Sequence, residues 1–218
     1  MSKNHHTNSS QRWLQEYHTD KYVKQAKHAG YRSRAVYKLA QIDARDHLFH
    51  PGMMVIDLGA APGGWSQWVQ QRLHHQVKLI AIDILPMEPL PGLTFIQGDF
   101  QESKIIDELR SYLGEQTVDL VMSDMAPNIS GIKAIDQPRA MLLAELARDL
   151  ALEVLVEQGH FLSKIFQGEG FDAYLKVLKS HFRKVVIRKP DASRARSAEI
   201  YVLASGYQPQ NRVKELSY

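Results

Sequence analysis

Cysteine is absent from the 218 residues. That excludes disulfides, thiolate metal sites and cysteine nucleophiles, and fits a reducing compartment. No apolar run reaches the roughly 18–20 residues that a membrane span needs. The opening stretch, MSKNHHTNSSQRW, holds no apolar h-region, so it does not read as a secretory signal. His5 and His6 have no neighbours that would complete a metal site, and read as polar surface. Repeats and low-complexity tracts are missing too. The absences together predict a cytoplasmic chain with no membrane span and no resident metal.

Hydrophobic residues make up 44% and charged residues 23%, the balance of one sizeable globular domain. Net charge is only +3, but it is unevenly spread. Residues 1–38 hold eight Lys or Arg against Glu16 and Asp20, a local +6. From Lys176 to Arg196 another eight face Asp191 alone. Two basic clusters on an otherwise acidic chain suggest a polyanion partner. One cluster alone would read as a solvated face.

The chain is organised around residues 53–65, MMVIDLGAAPGGW. An apolar run, a glycine-rich turn and a helical pattern describe the first strand, loop and helix of a nucleotide-binding α/β domain. A phosphate-cradling loop needs Lys and then Ser or Thr after its last glycine. Here Trp65 stands in the Lys position. A dinucleotide loop needs G-x-G-x-x-G, but position 61 is Ala and Pro62 removes an N–H. The looser loop of S-adenosylmethionine enzymes asks only for acidic residues at the ends of the first two strands. Asp57 and Asp83 meet that demand. A plain connecting turn is the alternative for a lone motif.

Along the chain, residues 1–30 are polar, with Trp13, Tyr17 and Tyr22 among basic residues. They read as a partly disordered arm that either stacks on bases or pins itself to the core. Apolar residues at helical spacing predict helices over 33–49, 64–74, 105–113, 138–157 and 171–179. Short apolar runs predict strands over 53–58, 77–82, 93–97, 118–123, 160–166, 183–188 and 199–204. The alternation gives an α/β fold, a doubly wound, mostly parallel seven-stranded sheet with an antiparallel last strand. The last two strands are joined without a helix and should pair antiparallel. The domain is expected to span 31–208, with a polar tail over 209–218.

In such sheets, ligands bind beyond the carboxyl ends of the strands. Asp57, Asp83, Asp99 and Asp124 all fall there. One Asp is ordinary turn chemistry; four in succession suggest a site. Asp83 suits ribose hydroxyls and Asp99 an adenine amine. Asp57 and Asp124 suit a sulfonium and an ammonium. Asp124-Met-Ala-Pro127 lacks the second proline and aromatic of the turn that grips exocyclic base amines. Pyrimidine C5 chemistry needs the missing cysteine. A ribose hydroxyl remains as acceptor. Lys164 lies in an otherwise apolar strand, where an unpaired cation costs several kcal/mol; a strand-end lysine reaching solvent is the alternative.

From about 33 to 204 the sequence resembles the FtsJ-like ribose 2′-O-methyltransferases. The family's Lys-Asp-Lys-Glu tetrad falls on Lys38 in Ser33-Arg-Ala-Val-Tyr-Lys-Leu39 and Asp124 in Ser123-Asp-Met-Ala-Pro127. It continues on Lys164 in Ser163-Lys-Ile-Phe166 and Glu199 in Ser197-Ala-Glu-Ile-Tyr201. The cofactor loop falls on Asp57-Leu-Gly-Ala-Ala-Pro-Gly-Gly-Trp65. The resemblance implies a Rossmann-like class I methyltransferase fold and S-adenosyl-L-methionine as cofactor. It implies cofactor contacts from Asp57, Gly59, Gly63, Gly64, Trp65, Asp83, Asp99 and Asp124. A uridine of 23S ribosomal RNA in the 50S subunit would be the acceptor, with the enzyme acting as a monomer. On this reading Lys164 is the base, Asp124 orients it, and Lys38 and Glu199 position the ribose. The competing expectation is a non-catalytic rRNA-binding assembly factor that keeps the fold. A nicotinamide dehydrogenase is opposed by the glycine spacing.

Overall fold

The computed structural model describes residues 20–128, 130–194 and 197–209. The expectations for Trp13, Tyr17, the first ten residues and the tail beyond 209 lie outside them. In chain order the elements are α1 (Lys21–His28), α2 (Val36–Asp46), β1 (Met54–Leu58), α3 (Gly64–Arg72), β2 (Lys78–Asp83), β3 (Leu93–Gln97) and α4 (Ser103–Leu113). There follow β4 (Val118–Ser123), α5 (Lys133–Val154), β5 (Leu155–Phe166), α6 (Phe171–His181), β6 (Phe182–Arg188) and β7 (Glu199–Tyr207).

The seven strands form one sheet in the order β3-β2-β1-β4-β5-β7-β6. The first five are mutually parallel. β7 runs antiparallel to both β5 and β6, so the last strand is slotted inside the sheet rather than added at its edge.

Strand side chains alternate between two faces. Ile56, Leu58, Val121, Phe161, Ile200 and Val202 point to a core closed by α4, α5 and α6. Val55, Leu120, Met122, Leu162, Tyr201 and Leu203 point to a second core, closed by Leu39 and Ile42 of α2 and Trp65, Val69 and Leu73 of α3. Asp57, Asp124, Lys164 and Glu199 share the parity of the second set. The period of the strands therefore aims all four at the face that carries α2 and α3. Lys38, in α2, meets them there.

Two bounds differ from the sequence reading by about a helical turn or more. The long helix begins at Lys133, so Pro138 lies inside it rather than in its first turn. β5 begins at Leu155, where 155–157 had looked helical. Its pairing with β4 slips between Val118 and Leu120, and Gln158 takes a φ of 69°. This irregularity breaks the period by which a strand is read.

Candidate active site

A cleft of about 390 Å³ opens at the carboxyl ends of β1, β2 and β4. Gly59, Asp83, Asp99, Asp124 and Met125 are among its lining residues. Gly59 has a φ of +74°, and a Cβ there would lie 2.6 Å from Met125 Cγ. Only glycine lets this wall come so close. Asp83 accepts the N–H of Ala61 on Oδ2 and that of Leu85 on Oδ1, both at 2.8 Å. It thus joins the two loops that bound the cleft. Asp99 Oδ1 accepts the N–H of Gln101 at 2.9 Å. Each carboxylate oxygen keeps a lone pair for a ligand.

The other expected cofactor residues sit behind the cleft. Asp57 is 1% exposed, and its Oδ2 accepts the hydroxyl of Ser66 at 2.6 Å. Among the described residues its Oδ1 has no hydrogen-bond partner. Burial pushes this carboxyl up to about 7, with the charges of Asp124 and Asp83 adding to the effect. Gly63 and Gly64 make room for the segment before α2. A Cβ on Gly63 would meet Met87 Sδ at 2.7 Å and Arg32 Nη1 at 3.0 Å, and one on Gly64 would clash with Ser33 Oγ. Trp65 Nε1 donates to the carbonyl of Ala35 at 2.9 Å. These residues look alike in sequence, but they dock residues 30–35 instead of lining the cleft.

Beyond the cleft, the four tetrad positions come together as two ion pairs. Lys164 Nζ lies 3.0 Å from Asp124 Oδ1 and also donates to the Asp124 carbonyl. Lys38 Nζ donates to Glu199 Oε1 at 2.7 Å. Both lysines are largely buried, at 8% and 9% exposure, so each cation depends on its partner. Lys164 stands opposite Tyr201 across the β5–β7 pairing. Burial works against the Asp124 anion, but the charges of Lys164 and Lys38 and the Tyr201 hydrogen bond outweigh it. The carboxyl is held below its ordinary value. Asp124 also lines the cleft, so one side chain belongs to both halves of the site.

Two residues that sequence reasoning passed over complete the arrangement. Tyr201 donates its hydroxyl to Asp124 Oδ1 at 2.7 Å. Its ring packs 5.8 Å from that of Trp65, and Lys38 Nζ lies 5.8 Å from its centroid. Ser193 donates to Glu199 Oε1 at 3.0 Å. A tyrosine two residues after Glu199, on the same face of an apolar strand, was a usable signal for the first. Nothing in the sequence marks Ser193.

The basic clusters divide. Lys21, Lys24 and Lys27 on α1 are exposed, as are Lys176, Lys179, Arg183 and Lys184. Arg188 forms a forked pair with Asp46 at 2.5 and 2.6 Å, and Lys189 Nζ donates to the Glu199 carbonyl at 2.6 Å. Arg196 lies outside the described residues. Tyr22 is pinned, its hydroxyl accepting from Gln41 Nε2 at 3.1 Å and its ring 5.4 Å from Tyr37. Among the described residues no helix is long and apolar enough to cross a membrane, and no group of three or more His, Asp or Glu could hold a metal ion.

The sheet, and the cleft at its carboxyl edge, are those of an α/β methyltransferase. Human methyltransferase-like protein 13, solved in complex with SAH, shares the fold at a TM-score of 0.53 and 14% identity, over 80% of this chain and 81% of that one. A Plasmodium falciparum protein assigned as a ribosomal RNA methyltransferase aligns with a TM-score of 0.73 and 28% identity, over 81% of this chain and 98% of that one. The chain belongs to the FtsJ-like methyltransferase family, whose model matches residues 31–207. Its sequence is 57% identical to the ribosomal RNA large subunit methyltransferase E of Chromohalobacter salexigens, over 95% of this chain and 99% of that protein. The protein of the same name from Cellvibrio japonicus is 55% identical, over 91% and 94%.

Proposed function

We propose that the chain transfers a methyl group from S-adenosyl-L-methionine to the ribose 2′-hydroxyl of a uridine in large-subunit ribosomal RNA, on the assembled subunit. The supporting observation is that Asp124 is shared between an acidic cleft and a pair of buried lysine–carboxylate contacts. The cleft's donor set fits the proposed cofactor. Its adenine amine, two ribose hydroxyls, ammonium and sulfonium all seek acceptors or negative charge, and Asp83, Asp99 and Asp124 offer both. When bound, S-adenosyl-L-methionine supplies a methyl group already activated on a sulfonium.

The chain's own residues then supply alignment and proton movement. A lysine ammonium has three N–H donors, and Asp124 takes two of those on Lys164 through its carboxylate and its carbonyl. Among the described residues no second residue accepts from Lys164 Nζ, which leaves its third N–H for the acceptor oxygen. Once deprotonated, Lys164 takes the proton of the 2′-hydroxyl, while Asp124 keeps the amine in place. Lys38 and Glu199, paired beside the Tyr201 ring, hold the ribose. A cytoplasmic, monomeric enzyme belongs to the same reading.

The test is incubation with large ribosomal subunits that lack the modification, together with methyl-labelled S-adenosyl-L-methionine. Label on a single uridine 2′-oxygen is expected. RNA binding without label would replace the enzyme with an assembly factor.

A further inference from the structure

Arg32 belongs to the N-terminal basic cluster that composition reads as polyanion-binding. In the folded chain its guanidinium is engaged by protein carbonyls. Nη1 donates to Pro62 O at 3.2 Å and to Glu88 O at 2.6 Å, and Nη2 donates to Pro89 O at 2.9 Å. Pro62 lies in the loop after β1, while Glu88 and Pro89 lie in the loop after β2. Both loops line the cleft, through Gly59 and Ala61 in one and Ile84 and Leu85 in the other.

The side chain is also seated from behind. The Arg32 N–H donates to Gln67 Oε1 at 3.0 Å, and Gln67 Nε2 donates to the Gly30 carbonyl at 2.9 Å. Gly63 leaves open the space that Nη1 and Met87 occupy. A planar fork can serve carbonyls from two loops at once. A lysine ammonium on a flexible stem cannot match that geometry.

We propose that Arg32 is a positioning residue of the methyl-donor cleft, clamping its two rim loops together, and is not a ligand for the RNA. This rests on the reading of the cleft given under Proposed function. Two measurements on the full chain separate the clamp from that reading. One is binding of S-adenosylhomocysteine by calorimetry. The other is hydrogen exchange of residues 84–92 without ligand.

Arg32→Gln should weaken S-adenosylhomocysteine at least tenfold and speed exchange over 84–92 at least tenfold. Arg32→Lys keeps the charge and should recover neither fully. Lys27→Gln, exposed on α1, should change neither. Wild-type exchange over 84–92 in Arg32→Gln overturns the clamp, as does unchanged ligand affinity or full recovery in Arg32→Lys. If Arg32→Gln also loses protection across β4, Arg32→Lys carries the comparison. Faster exchange confined to 84–92 then supports the clamp, and uniform exchange overturns it. If the wild-type chain fails to bind S-adenosylhomocysteine, the donor reading falls, while the exchange result still judges the clamp.

Discussion

Tyr201 and Lys164 meet on one atom: Asp124 Oδ1 accepts the phenol at 2.7 Å and faces the ammonium at 3.0 Å. Burial raises the Tyr201 hydroxyl well above its ordinary value of 10.0, and the charges of Asp124 and Glu199 raise it further. It therefore stays protonated and keeps donating. Tyr201→Phe removes this bond but retains the ring against Trp65 and Lys38. A hydrogen bond to a charged group contributes about 1.5–3 kcal/mol. Turnover should fall roughly 10- to 100-fold, with KM for donor and RNA within about twofold. Single-turnover methyl transfer measures this, and an unchanged rate would leave Tyr201 with a packing role only.

Removing the amine itself is a sharper test. Lys164→Ala should abolish methyl transfer and leave donor affinity within a few-fold. Lys164 is not among the residues that line the cleft proposed for the donor. Parallel calorimetry and label incorporation would show the split. Wild-type turnover would take Lys164 out of the chemistry.

Gly59→Ala probes the wall of the cleft. The new Cβ would sit 2.6 Å from Met125 Cγ and 3.0 Å from Met125 Cα, on a backbone with a φ of +74°. Left-handed backbone and overpacking together should cost about 1–3 kcal/mol in urea unfolding. Donor affinity should drop as Met125 shifts. A fully stable variant with normal donor affinity would mean that the loop yields easily.

Asp57 should leave a mark on the pH dependence of folding. Its folded carboxyl lies at about 7, raised by burial from 3.8. Between those values the native state holds a proton that the unfolded chain has lost. Stability from this group is therefore full below about pH 4 and is lost as pH rises through about 7. The ceiling is roughly 4 kcal/mol for a shift of this size. Urea unfolding from pH 4 to 8 should show wild type losing stability relative to Asp57→Asn across that window. Parallel curves would mean that Asp57 is ionised in the native protein.

Much of this was readable before any coordinates. Four aspartates in succession at the ends of strands pointed to a ligand site, and a cation in an apolar strand marked Lys164. Less readable were roles set by partners far along the chain. Gly63 and Gly64 looked like ligand-facing glycines, yet what fills their missing side-chain space is Arg32 and Ser33. The start of β5 was hidden by a pairing slip, and the start of α5 by a proline that normally marks a first turn. Composition counted Arg32 and Arg188 among the charges offered to a polyanion, although both are tied to protein groups.

The slot occupied by β7 has a temporal side. Glu199 and Tyr201 reach their partners only when that strand enters between β5 and β6. During synthesis, Lys38 and Asp124 emerge first and wait without their counterparts. Until roughly residue 207 has cleared the exit tunnel, β5 has one open flank and its lysine lacks the wall beside it. Competence therefore arrives in a single late event, and a truncated product would be inert instead of half-active.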